Sequence, residues 1–259
     1  MGLISCGLGE NIHFRCLAAS LPNLNKRPPY GRFPLWHNRR MFHRFKTIFV
    51  GLMFTGLVPL AWAAEAAGTN DPTAGWTLQP LHYSIQFPYN LRQADRYAFV
   101  ATNDTHHFWV FSNDLPHAQI SHTLPRTEMR VEGDYTSGQH QFEADMMIPP
   151  GTSNVSLVQV FGGSLRGHST SLQIRVYDGQ LKYYNDSVLR PDICGKWLHL
   201  NVTHDVATHA IRIFIDYKLV MTVADNGGKS WYFKCGVYVQ EGMSREMEAY
   251  FRNVKLYTR

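Results

Sequence analysis

Residues 232–240 read YFKCGVYVQ, and the layout of this stretch decides the fold. It is too apolar for a loop and too short and β-branched for a helix. Laid out as a strand, it puts Phe233, Cys235, Val237 and Val239 on one face, and Lys234, Gly236, Tyr238 and Gln240 on the other. One face is greasy. The other carries an amine, a phenol and an amide around a glycine that leaves room. Such a strand belongs to a sheet with one side in the core and the other side open.

The same alternation recurs upstream. PRTEMRV (125–131) sets Arg126, Glu128 and Arg130 against Thr127, Met129 and Val131. VQVF (158–161) sets Gln159 and Phe161 against Val158 and Val160, and LQIRVY (172–177) sets Gln173, Arg175 and Tyr177 against Leu172, Ile174 and Val176. QFEADMMI (141–148), KWLHLNVTHDV (196–206), AIRIFIDYKLVMTV (210–223) and EAYFRNVKLY (248–257) also read as strands. SLQIRVYDGQLKYY (171–184) is a hairpin with Asp178-Gly179 at its tip, because that dipeptide adopts the positive φ angles of a tight hairpin turn. No stretch sustains a 3.6-residue apolar face for more than about two turns. The expectation is an all-β sandwich or jelly roll of two antiparallel sheets, in one domain over residues 76–259.

The chain ahead of that domain has a different character. A basic stretch (Arg39, Arg40, Arg44, Lys46) precedes an apolar run from Thr47 to about Ala64, which ends in small residues spaced Ala61-x-Ala63. That is the layout of a cleaved signal peptide over 41–64. A membrane anchor is the alternative, but Gly51, Gly56 and Pro59 interrupt the run. Residues 1–40 form a polar extension outside the fold, and 65–75 a linker. Removing the eight Lys/Arg and one acid of residues 1–64 from the chain totals of 25 and 20 turns a net charge of +5 into −2. The basic character belongs to the leader, so nucleic-acid binding loses its support. Cleavage would leave no membrane segment and deliver the chain to the secretory route, to the cell wall or the vacuole. Cys194 and Cys235 remain after the leader, and a disulfide between them is expected, with two buried free thiols as the alternative. Asn103, Asn154, Asn185 and Asn201 stand in Asn-x-Ser/Thr sequons, as in a glycosylated secretory protein.

The polar faces suggest chemistry. Arg126, Arg130, Gln159, Arg175, Lys234, Tyr238 and Gln240, with Glu128 among them, would line a groove if the sheet is curved. Guanidinium groups grip carboxylates bidentately, and amides and phenols complete the hydrogen bonds. The plainer alternative is a solvated outer face with surface ion pairs of little worth. His106-His107 reads as loop surface beside a sequon. His199, His204 and His209 have the wrong spacing for one side of a strand, so no metal site is expected. No glycine-rich phosphate loop or nucleophile elbow points to a cofactor or to serine chemistry.

PRTEMR, QVF and YFKCGVYVQ resemble, in this order, the three signature strands of the alginate-lyase-like polysaccharide lyases, a family with a concanavalin-like β-jelly roll. The resemblance spans about residues 71–259. DPTAGWTLQPL, SHTLPRTEMR, PPGTSNVSLVQVFGG and SWYFKCGVYVQ are most similar to the plant branch called citrate-binding proteins. The resemblance implies β-elimination on a polyuronate: Arg126 and Gln159 would neutralise the substrate carboxylate, and Tyr238 would protonate the leaving oxygen. Lys234 and Arg130 would line the groove. The family's middle motif ends in histidine, the general base, whereas this chain has Phe161, which accepts no proton. Tyr238 could serve as both base and acid, or His122 could reach in from a loop.

Two functions of different class follow as expectations. The first is a binding protein that holds citrate or a uronate oligosaccharide without cleaving it. The second is a lyase that uses Tyr238 on an alginate- or glucuronan-like polymer. A purely structural cell-wall role is a third. No cofactor is implied.

Overall fold

The computed structural model of the chain describes residues 71–162 and 169–259. The expected 1–40 extension, the expected 41–64 signal peptide and the 65–70 part of the expected linker lie outside the described residues. Fifteen strands follow in order. They begin with β1 (Thr77–Gln79), β2 (Tyr83–Gln86), β3 (Tyr97–Val100), β4 (Thr105–Phe111), β5 (Arg126–Val131), β6 (Gln139–Met147) and β7 (Val155–Phe161). They continue with β8 (Thr170–Tyr177), β9 (Gln180–Tyr183), β10 (Val188–Arg190) and β11 (Trp197–Asp205). The last are β12 (Ala210–Ile215), β13 (Lys218–Ala224), β14 (Tyr232–Val239) and β15 (Glu246–Thr258). Among the described residues the only helical elements are two short 3-10 turns, Gln93–Asp95 and Ala101–Asn103. No helix among them is long and apolar enough to cross a membrane.

The strands form two antiparallel sheets. One runs β13-β12-β11-β6-β15-β4-β3, with β1 also paired to β15; the other runs β10-β9-β8-β7-β14-β5-β2. Neighbours such as β14 and β5, far apart in sequence, are brought together by the crossovers of a jelly roll. The apolar positions of the alternating strands fill the space between the sheets. Phe142, Ala144, Met146, Leu200 and Val202 come from one sheet; Met129, Val158, Val160, Phe233, Cys235 and Val237 come from the other, all at 3 % exposure or less. Burying each large side chain of this set stabilises the fold by about 1.5–3 kcal/mol. Period-two patterning therefore converts directly into two facing layers.

The hairpin at Asp178-Gly179 forms as expected, with φ of 50° and 73°. The segment 210–223 does not run as one strand. Asp216 and Tyr217 take φ of 49° and 64° and fold it into the β12–β13 hairpin. His106 is not loop surface either: it lies in β4 at 2 % exposure, with its Nδ1 2.8 Å from the Tyr97 hydroxyl. Cys194 and Cys235 are free thiols, which corrects the expected disulfide. Cys235 faces the core from mid-strand, its Sγ 3.9 Å from Met129 Sδ, whereas Cys194 sits beyond β10 in a bridge to Ile148.

Candidate functional site

The register of the second sheet assembles the site. In the β5–β14 ladder Arg126 lies opposite Tyr238, Glu128 opposite Gly236 and Arg130 opposite Lys234. On the other side of β14, Lys234 pairs with Gln159 and Tyr232 with Phe161; Gln159 in turn pairs with Gln173 in β8. Directly opposed residues share a face, so these side chains lie together on the sheet surface away from the core. Gly236 makes the crowding possible. Its φ is +136°, and a Cβ there would come within 2.8 Å of Glu128 Cα. Beside it the β14–β7 register shifts between Cys235 and Tyr238, which re-aims the end of the strand.

This face is not a solvated one. Glu128 is 0 %, Lys234 and Gln159 1 % and Arg126 5 % exposed, so the surface-ion-pair alternative fails. Glu128 is the hub. It accepts hydrogen bonds from Lys234 Nζ (2.9 Å), from Arg126 Nη1 (3.3 Å) and, at its other oxygen, from Gln159 Nε2. Gln173 Nε2 donates to Gln159 Oε1 at 3.3 Å, and Arg175 Nε to Gln173 Oε1 at 2.7 Å. Burial pushes the Glu128 carboxyl up, but Lys234 and Arg126, with the hydrogen bonds, outweigh it and hold the pKa below the usual range. Glu128 is therefore ionised; burial pulls the Lys234 pKa down and Glu128 pulls it back up, and with both cations charged the floor carries one net positive charge.

Above this floor lies a cavity of about 260 Å³ lined by Arg126, Gln159, Lys234 and Tyr238, with Phe161, Tyr232, Gln86 and His117 in its walls. The Arg126 guanidinium stacks 3.8 Å over the Tyr238 ring, and its Nη2 donates to Thr123 Oγ1 at 2.9 Å. Its buried Nε has no partner among the described residues. Two other buried polar atoms of cavity residues, Gln86 Oε1 and His117 Nδ1, are likewise unpartnered. Burial, then the cations Arg126 and Lys234, pull the His117 pKa below 6.5 against the pull of Glu128, so the ring is neutral.

The residues expected in the groove thus divide. Arg126, Gln159, Lys234 and Tyr238 meet, with Phe161 beside them. Glu128 lies beneath them as the anchor. Arg130 turns away: it stacks 4.0 Å over Tyr232 and bonds Asp134. Arg175 lines a neighbouring hollow with Tyr183 and Tyr184. Gln240 lies past the strand end, where its amide donates to the Tyr238 and Val239 carbonyls, and it is no part of the cavity. His122 is exposed and does not line the cavity; His117, five residues earlier in the same connection, does. Sequence reasoning missed His117 and Gln86. The usable signal was that the whole 112–125 connection feeds directly into the PRTE strand.

The sequons also divide. Asn103 and Asn185 are exposed. Asn201 is not an acceptor in the folded chain, because it is fully buried with its amide donating to Glu143 at 3.0 Å. The Asn154 amide donates to the Glu241 carbonyl at 2.7 Å. Among the described residues no three His, Cys, Asp or Glu side chains gather as a metal would require. His199 pairs with Asp145, and His204 and His209 with Asp225.

Comparison with known proteins shows the family. The family model for alginate lyase matches residues 75–258, and the chain belongs to that family. A curated relative, the citrate-binding protein of Hevea brasiliensis, is 44% identical over 192 residues, covering 72% of this chain and 79% of that protein. Among solved structures, the alginate lyase of Corynebacterium sp. superposes with a TM-score of 0.55 at 13% identity, covering 68% of this chain and 94% of that one. An alginate lyase from Pseudomonas aeruginosa gives 0.52 at 17% identity, covering 68% and 98%. At these identities the solved structures speak to the jelly-roll fold.

Proposed function

We propose that this cavity is a carboxylate-binding site that takes citrate or a uronate residue of an oligosaccharide. The observation that carries the reading is the meeting of Arg126, Gln159, Lys234 and Tyr238 in one hollow with a surplus positive charge; the likeness of QVF to the lyases' middle motif would put Phe161 where their histidine base stands. The relative named for citrate binding supports the same ligand class. Arg126 Nε, a buried donor with no partner among the described residues, is open to an acceptor, and a carboxylate supplies one. Calorimetric titration with citrate and with oligouronates tests the reading. We expect binding in the millimolar range or tighter, weakened about 10- to 100-fold by Arg126→Ala, the worth of a charged hydrogen bond. No binding to either class, or unchanged affinity in the variant, would refute it. The leader is in keeping with delivery to the secretory route, and a cleaved N-terminus near Ala64 on the mature protein would establish that.

One observation favours a second reading, a polyuronate lyase. Tyr238 lines the cavity beside the group that would hold the carboxylate, so its hydroxyl could take the proton next to that carboxylate and return one to the leaving oxygen. Elimination creates a C4=C5 double bond conjugated with the carboxylate. Ultraviolet absorbance on a panel of polyuronates decides between the two readings.

A further inference from the structure

Two orphaned groups that share the cavity with the cations define what else the ligand must carry. Gln86 ends β2 and lies across the ladder from Glu128, so it stands on the same face as the carboxylate grip. Its Oε1 is buried without a donor. An amide oxygen can only accept. His117 makes no hydrogen bond to any described residue, although it is half-buried and lines the same cavity. A neutral imidazole beside a guanidinium and an ammonium presents a lone pair as well as an N–H. Buried polar atoms without partners are uncommon in native structures, and here Gln86 Oε1, His117 Nδ1 and Arg126 Nε, none with a partner among the described residues, belong to side chains lining one small hollow.

We propose that Gln86 and His117 read a hydroxyl, so that the site selects hydroxycarboxylates over plain carboxylates. The inference rests on the carboxylate-binding reading and sharpens it. The ligand lays its carboxylate on Arg126 and donates its hydroxyl hydrogen to Gln86 Oε1 or to the imidazole. Citrate and a uronate with a free hydroxyl both have this chemistry: each carries a hydroxyl within two carbons of a carboxylate. A ligand without the hydroxyl leaves that acceptor unsatisfied, and that is how polar sites reject a near-isostere.

The test compares ligand pairs that differ by one hydroxyl, measured by calorimetry on the full chain. Citrate is set against tricarballylate, the same tricarboxylate lacking the hydroxyl, and glucuronate against 4-deoxyglucuronate. The hydroxylated member of at least one pair should bind about tenfold more tightly, the worth of one hydrogen bond of about 1.4 kcal/mol. A preference confined to the citrate arm identifies a small hydroxy acid; one confined to the sugar arm identifies a uronate. His117→Ala and Gln86→Ala, each checked for an unchanged far-ultraviolet dichroism spectrum, should bring the members of the preferred pair to within about threefold of each other in at least one variant. Equal affinity within both pairs for the unmodified protein overturns the inference and leaves carboxylate binding intact. So does a preference that survives both substitutions. If no member of either pair binds, the carboxylate reading itself fails and takes this inference with it.

Discussion

Glu128→Gln keeps the shape of the cavity floor and deletes its charge. Glu128 and Lys234 have side chains 0 % and 2 % exposed and 2.9 Å apart, and Arg126 shares the same carboxylate. Removing one partner of a buried pair typically destabilises a protein by about 3–5 kcal/mol, because the remaining charge is stranded in a low-dielectric place. In a domain of this size each kcal/mol moves the melting temperature by about 2–4 °C, so the variant should melt about 6–20 °C lower. Affinity should change in the opposite direction. Arg126 is freed from its competing carboxylate, while burial, which already pulls the Lys234 pKa down, then favours the neutral amine; a guanidinium about 5 Å from a ligand carboxylate contributes up to about 3 kcal/mol at an effective dielectric near 20. Citrate should therefore bind the variant more tightly and raise its melting temperature by more than it raises that of the unmodified protein. Differential scanning fluorimetry with a citrate series reads both effects. A variant that melts within about 2 °C of the parent and binds citrate no more tightly would refute the ionised-hub account.

Other expectations follow from the same geometry. His106, His117, His140 and His204 are each pulled below their ordinary pKa, chiefly by burial. The unfolded chain therefore binds protons near pH 6.5 that the folded chain does not, so stability is full above that pH and declines below it. The melting temperature should be higher at pH 7.5 than at 5.5, and the reverse order would contradict the burial account. Gly236→Ala forces a Cβ against the β5 backbone at a φ of +136°, and should destabilise by about 3 kcal/mol or more in denaturant unfolding. Phe161→His places a base beside Gln159. Ultraviolet absorbance appearing on a polyuronate with this variant alone would show that the groove grips a uronate and lacks only its base, whereas silence from it alongside measurable oligouronate binding would show that the bound ring is misplaced for elimination.

The second sheet was legible because its strands are half core and half site. YFKCGVYVQ and PRTEMRV alternate cleanly, and antiparallel pairing then obliges Arg126, Lys234 and Tyr238 to share a face. Burial of the polar side was not legible. Spacing says which way Lys234 points but not that Glu128 waits beneath it, nor that loops close over both. β1 to β4 escaped notice because they are short or, as with Thr105–Phe111, carry polar and aromatic residues on both faces. His117 and Gln86 escaped for a related reason: a loop and an edge strand carry no periodicity that marks a side chain as inward. Gln240 misled because alternation was extended one residue beyond Val239, where the ladder ends.

The state of the two sulfurs reaches beyond the site. Cys235 is wholly enclosed and its thiol is pushed well above its ordinary pKa by burial, so of these two thiols maleimide or iodoacetamide should spare Cys235 in the native protein and modify Cys194. Nothing in the sandwich waits on oxidation to close. Bacterial cytosol, reducing as it is, should yield the same jelly roll, and dithiothreitol should leave its melting curve where it was.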